Sequence, residues 1–171
     1  MDLNDVFRQR QSVRNFTNQP IEQIKIEALK EALRYAPSSK AQFPCLFYFV
    51  KDPVIISQLA QSKPHGATFL EKAPFVIVFA ADPEISDVWI EDTSIATTYA
   101  MLEVTNLGLG SCWVQIHNRF YNDKTTSEDF IRSLLQIEDK MRITSLLAVG
   151  YPAENINGGQ KNIYANIIHV G

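Results

Sequence analysis

Three arginines fall within seven residues near the start of the chain: Arg8, Arg10 and Arg14, with Gln11 and Ser12 between the last two. Guanidinium groups bind phosphate through paired N–H donors, and a serine hydroxyl or nearby backbone amides complete such a shell. The same spacing also describes the solvated basic end of a helix. Other phosphate cradles are missing. There is no Walker loop, and Gly108-Leu109-Gly110 lacks a third glycine and follows a helical rather than a strand-like segment. If a nucleotide binds, arginine side chains must do what glycine amides do elsewhere. The histidines His65, His117 and His169 share no local frame and offer no zinc-ligand spacing, and no nucleophile-elbow motif is present. Cys45 and Cys112 sit in apolar stretches, where a thiol is a small inert core residue. No catalytic side chain and no metal ligand is expected.

The elements that must position these residues follow from periodicity. A short helix is expected from Asp2 to about Arg8, after which Arg10 to Phe16 loses helical spacing. A second should run from Ile21 or Glu22 to Tyr35, with Ile24, Ala28, Leu29, Ala32 and Leu33 at three- and four-residue steps and Pro37 closing it. Leu46–Val50 reads as a strand, and Asp52-Pro53 opens a helix to about Gln61. Phe75–Ala80 is a continuous apolar run, as in a strand covered on both faces. Asp92 to Leu107 is a helix with charges only at Asp92 and Glu103, which places it in the middle of the fold. Its threonines Thr97, Thr98 and Thr105 suit back-bonding to the preceding turn. Ser111–Ile116 is a further buried strand, followed by a helix from Ser127 to Gln136 and a strand from Ile143 to Val149. Tyr164–Val170 is strand-like with no local partner. The order predicts an α+β fold, three layers deep, with helices on both faces of a sheet and residues 1–171 as a single domain.

Composition narrows the function. The chain has 171 residues, of which 46% are hydrophobic and 20% charged, with a net charge of −3. That balance gives no global basic field for nucleic acid. Polar residues interrupt every apolar run before the roughly 18 residues a membrane span needs. The start, Met1-Asp2-Leu3-Asn4-Asp5, lacks the basic and apolar regions of a secretory signal, so a cytoplasmic location is expected.

Four strings then read together. RQSVRNF resembles the arginine-serine-arginine signature of the flavin-dependent nitroreductase family, and APSS after the second helix looks like that family's second signature. GLGSCWV is similar to its third and VGYP to its fourth, all in the family's order. The resemblance implies a three-layer α/β/α nitroreductase-like fold with a mainly antiparallel sheet. It further implies a homodimer with FMN at the subunit interface and a carboxy-terminal segment exchanged with the dimer partner. By that likeness Arg10, Gln11, Ser12 and Arg14 hold the FMN phosphate and ribityl end, and Pro37, Ser38 and Ser39 approach from the partner chain. Val114 and Gln115 lie beside the reactive edge, and Lys161 reaches the phosphate. The chain departs from the pattern after Ser39, where it reads Lys40, Ala41, Gln42, Phe43, Pro44, Cys45. Ala41 stands where the family has an amide, Gln42 is one position early, Cys45 replaces a tryptophan, and Phe43 is left to line the pocket.

The implied activity is transfer of a hydride from NAD(P)H through FMN to an electron-poor acceptor such as a nitroaromatic or quinone, with the flavin carrying the difficult chemistry. Two other roles suit the same scaffold. One is a flavin-binding protein or a dedicated biosynthetic or dehalogenating flavoprotein. The other is a cofactor-free dimeric interaction module.

Overall fold

A computed structural model describes residues 1–154 together with Ile168 and Val170. The expected partner-exchanged segment and Lys161 therefore lie outside the described residues. Nine elements alternate along the chain: helix α1 (Leu3–Gln9), α2 (Gln23–Arg34), strand β1 (Cys45–Val50), α3 (Pro53–Leu59), β2 (Phe75–Ala81), α4 (Trp89–Asn106), β3 (Gly110–Gln115), α5 (Ser127–Leu135) and β4 (Arg142–Gly150). Two short 3-10 turns, Ser39–Ala41 and Thr68–Lys72, were not expected from periodicity. Local chemistry sets several helix starts. The Asp2 carboxylate accepts the Asn4 N–H at 2.7 Å, and that of Asp52 accepts the Val54 N–H at 2.8 Å with Pro53 in the first turn. Thr126 Oγ1 accepts the Asp129 N–H at 3.0 Å, and α5 ends at left-handed Gln136.

The sheet runs β1-β2-β4-β3, and every neighbouring pair is antiparallel. Alternation across the central strands divides the core in two. On one face Val76, Val78 and Ala80 of β2 pack with Ile56 and Leu59 of α3 and Ile131 of α5. On the other, Phe75, Ile77 and Phe79 pack with Leu29 and Leu33 of α2 and with Ala96, Ala100 and Val104 of α4. This is the three-layer arrangement the element order predicts, and β2 is buried along its whole length.

Helix α4 starts three residues earlier than Asp92, at Trp89. The threonines behave as expected: Thr97 Oγ1 donates to Thr93 O at 2.8 Å and Thr105 Oγ1 to Met101 O at 3.0 Å. The helix is central on one side only. Ala96, Ala100 and Val104 meet the sheet and α2, while Ile90, Ile95 and Tyr99 are each about 40% exposed on its outer face. Among the described residues, no helix is long and apolar enough to cross a membrane.

Candidate active site

The segment that carries the arginines is an arm laid along the open edge of β3. Ser12 forms a parallel bridge with Ser111, and the Val13 N–H donates to Ser111 O at 2.9 Å. The other end of the arm is clamped beyond β4. Phe16 bridges Pro152, the Thr17 N–H donates to Tyr151 O at 2.8 Å, and the Ala153 N–H donates to Asn15 O at 3.0 Å. Gly110 makes the first contact possible, since a Cβ there would lie 2.8 Å from the Cβ of Val13. Held at both ends, the arm presents Ser12 and Arg14 to solvent, with Arg10 and Gln11 half-buried beside them. Ser12, Arg14 and Asn15 line an open cavity of about 400 Å3 together with Pro152 and Glu154.

The end of β3 supplies a different kind of group. The Ile116 N–H donates to Thr144 O of β4 at 3.0 Å. Successive strand residues turn their N–H and C=O to opposite sides, so Gln115 turns both toward the open edge. Two bonds agree with this parity: Ser111 O accepts from the arm, and Gln115 O accepts from Lys63 Nζ at 3.1 Å. The Gln115 side chain is already engaged. Its Oε1 accepts from Trp113 Nε1 at 3.0 Å, and its Nε2 donates to His117 O at 3.1 Å. What Gln115 offers the edge is its backbone amide. By the same parity Val114 turns its backbone N–H and C=O toward Leu146 of β4, and its side chain is fully buried in the core. Trp113 is half-buried rather than fully packed.

Lys63 is a site residue that sequence reasoning missed, because only tertiary packing after α3 brings it to Gln115. Burial lowers its pKa, and the nearby Arg119 charge lowers it further. Cys112 lies within electrostatic reach of Arg14 and Lys63, and its thiol donates to Trp113 O at 3.7 Å. Burial nevertheless wins and raises its pKa. The Cys45 thiol is pushed up to about 12 by burial and by Asp92. Both thiols are free, and neither has the depressed pKa of a nucleophile. Cys45 is half-buried rather than a full core residue.

A second missed cluster closes the end of the sheet. Glu128 of α5 accepts from Arg142 Nε and Nη2, each at 2.9 Å, and from the Ile143 N–H at 3.0 Å. It also lies 2.9 Å from His117 Nδ1. Burial works against its charge, yet these partners outweigh burial and hold its carboxyl below the usual range.

Pro37, Ser38 and Ser39 are elsewhere. They leave α2 and lead into β1, so they flank the edge of the sheet opposite the arm. They also sit toward the other end of the strands: Cys45 is in register with Ala81 and Ala81 with Arg142, whereas Ser12 pairs near the Gly110–Gly150 end. Three interstrand steps of about 4.8 Å separate the edges by roughly 14 Å before any offset along the strands. One chain therefore places the arm, Gln115 and Lys63 along one edge of the sheet and the Pro37–Ser39 turn beyond the other.

Residues 7–63 and 56–151 match the model of the nitroreductase family. A protein of Archaeoglobus fulgidus, provisionally named an NADH dehydrogenase/NAD(P)H nitroreductase, is 30% identical over 149 residues, spanning 85% of this chain and 82% of its own. Among solved structures, an FMN-dependent nitroreductase from Clostridium difficile R20291 is 37% identical with a TM-score of 0.86, covering 88% of this chain and 87% of its own. A protein from Parabacteroides distasonis, with the same provisional name as the archaeal relative, is 27% identical with a TM-score of 0.88 over 100% of this chain and 99% of its own. An α+β sheet with helices on both faces, edged by an arginine-bearing arm, is thus the nitroreductase class of fold. The chain belongs to the nitroreductase family.

Proposed function

We propose that the protein is an FMN-dependent oxidoreductase that uses NAD(P)H to reduce an electron-poor acceptor such as a nitroaromatic or quinone. The observation that carries this reading is the open edge of β3, where the Gln115 amide is turned outward beside the arm and Lys63. The donor set suits FMN. Arg10, Ser12 and Arg14 would hold the phosphate and ribityl end, and among the described residues neither arginine has a carboxylate within ion-pair distance. The Gln115 N–H would donate to the flavin's N5, and Lys63 would stabilise negative charge that develops on the ring. When bound, the cofactor supplies the hydride chemistry between NAD(P)H and the acceptor. The protein's part is to hold, orient and polarise it.

The placement of Pro37–Ser39 supports a homodimer. The turn and the arm lie at opposite edges of one sheet, so both contact one flavin only if the turn comes from a second copy. The outer face of α4 and the face of α1 beside it supply a surface for that copy. Leu3 and Phe7 are 60% and 51% exposed and border an apolar cavity of about 510 Å3 with Tyr99 and Leu102. The test is an absorbance spectrum of protein reconstituted with FMN, followed anaerobically on adding NADH or NADPH. The reading expects a bound flavin spectrum that bleaches with the nicotinamide and returns with a quinone. Protein that stays colourless after incubation with FMN would refute it.

A further inference from the structure

We propose that Asp92 is a positioning residue that latches the Pro37–Ser39 turn in the shape in which it meets the flavin. The inference rests on the reading of that turn as the half of the FMN site given to the partner chain. Asp92 lies in the first turns of α4 and is only 2% exposed. Among the described residues no cation lies within ion-pair distance of it. Burying an unpaired carboxylate is costly, and the positive end of α4 offsets only part of that cost. Each carboxylate oxygen instead accepts from a neutral donor. Oδ2 accepts from Ser86 Oγ at 2.7 Å, and Oδ1 accepts from the Ser39 N–H at 2.8 Å, reaching across 53 residues of sequence.

The segment it holds is strained. Lys40, Ala41 and Phe43 all have left-handed backbone angles, with φ of 53°, 53° and 49°, and none is glycine. Such residues persist only where the surroundings over-determine them. Most bonds here are internal to the turn: the Ala41 N–H donates to Ser38 O, the Gln42 N–H to Ser39 O, and the Phe43 N–H to Ser38 Oγ at 2.8 Å. They fold the turn on itself without fixing where it sits. Beyond it, the Asp82 N–H donates to Pro44 O at 3.1 Å and anchors the far end. The Asp92 bond anchors the near end to the core. Ser38, Phe43 and Asp92 border one cavity of about 250 Å3, so the latch lies directly beneath the surface the turn presents. Ala41, Gln42 and Phe43 thus lie in the segment whose shape Asp92 maintains.

The test compares Asp92→Ala, Asp92→Asn and Ser86→Ala with the parent dimer by amide hydrogen exchange without flavin, by FMN titration and by thermal midpoint. The amide side chain of D92N retains an oxygen for the Ser39 N–H and can donate to Ser86, so that variant should keep parental FMN affinity within about threefold. D92A should speed exchange across residues 38–43 and weaken FMN about tenfold or more, the scale of losing a hydrogen bond to a charged group. S86A should lower the thermal midpoint yet keep FMN affinity, because the Ser39 bond survives. Unchanged exchange at 38–43 in D92A would overturn the proposal. So would a D92N or S86A variant that loses FMN as severely as D92A. If the parent protein binds no FMN, the reading of the site fails instead, and the exchange measurement still decides whether Asp92 holds the turn.

Discussion

Replacing Gly110 by alanine tests how the arginine arm is held. The added Cβ would lie 2.8 Å from Val13 Cβ and Cγ2 and 2.9 Å from Cγ1. Ordinary carbon contacts need about 3.5–4.0 Å, so the two residues must part by about 1 Å. Val13 cannot rotate clear, because its branched head is stiff at χ1 and all three atoms clash. The arm must therefore lift from β3, stretching the Val13 N–H···O bond to Ser111 and displacing Ser12 and Arg14. Overpacking of this kind costs about 1–3 kcal/mol, and a chain of this length loses about 2–4 °C of thermal midpoint for each kcal/mol. A shift of about 1 Å in binding groups should weaken FMN about tenfold or more. The assay is a thermal melt with an FMN titration on Gly110→Ala, Val13→Ala and the double variant. Removing Cγ1 and Cγ2 of Val13 takes away two of the three clashing atoms and leaves only its Cβ against the added methyl, so the double variant should be more stable than the sum of the single losses by more than about 0.5 kcal/mol. Additive losses, or a Gly110→Ala protein with parental stability and affinity, would refute the account of the arm.

Arg14→Ala should weaken FMN by about 1.5–3 kcal/mol in the same titration, because it removes a charged donor to the phosphate. Glu128→Gln should cost about 2 kcal/mol at pH 7 in denaturant unfolding, below the full figure for a buried pair because Arg142 reaches water. Its pH dependence has a definite sign. A carboxyl held below its usual range contributes stability that is complete above the ordinary value of about 4.3 and is lost as pH falls through the lower folded value. The parent should therefore lose stability more steeply than the Gln variant as acid is added below about pH 4.3. Leu29→Ala, at a fully buried position between α2 and the sheet, should cost about 2–5 kcal/mol with little change in FMN affinity.

The layered fold was legible because its strongest signals are local. The unbroken run Phe75–Ala80 reads as a strand covered on both faces, and the capping residues Asp2, Asp52 and Thr126 mark helix starts by their own side chains. Helix α4 begins before its first expected residue because no side chain caps it, which leaves Trp89 to Glu91 without a boundary signal. The left-handed turn at Lys40–Phe43 was illegible for the opposite reason. Left-handed angles are ordinarily flagged by glycine, and this turn is held by a carboxylate 53 residues away. The chemistry of the arm was readable from Arg10, Ser12 and Arg14, but its pairing with β3 is a contact across the chain. Lys63 and the Glu128–His117–Arg142 cluster likewise exist only once distant segments pack. The choice between the side chain and the amide of Gln115 needed the strand parity that β4 imposes.

Flavin affinity measured along a protein dilution series, with the assembly state followed by sedimentation, tests the two-chain site most directly. FMN should be released in step with dissociation into single chains, because neither chain alone brings the arm and the Pro37–Ser39 turn to one flavin. Single chains that bind FMN as tightly as the assembled protein would contradict the account.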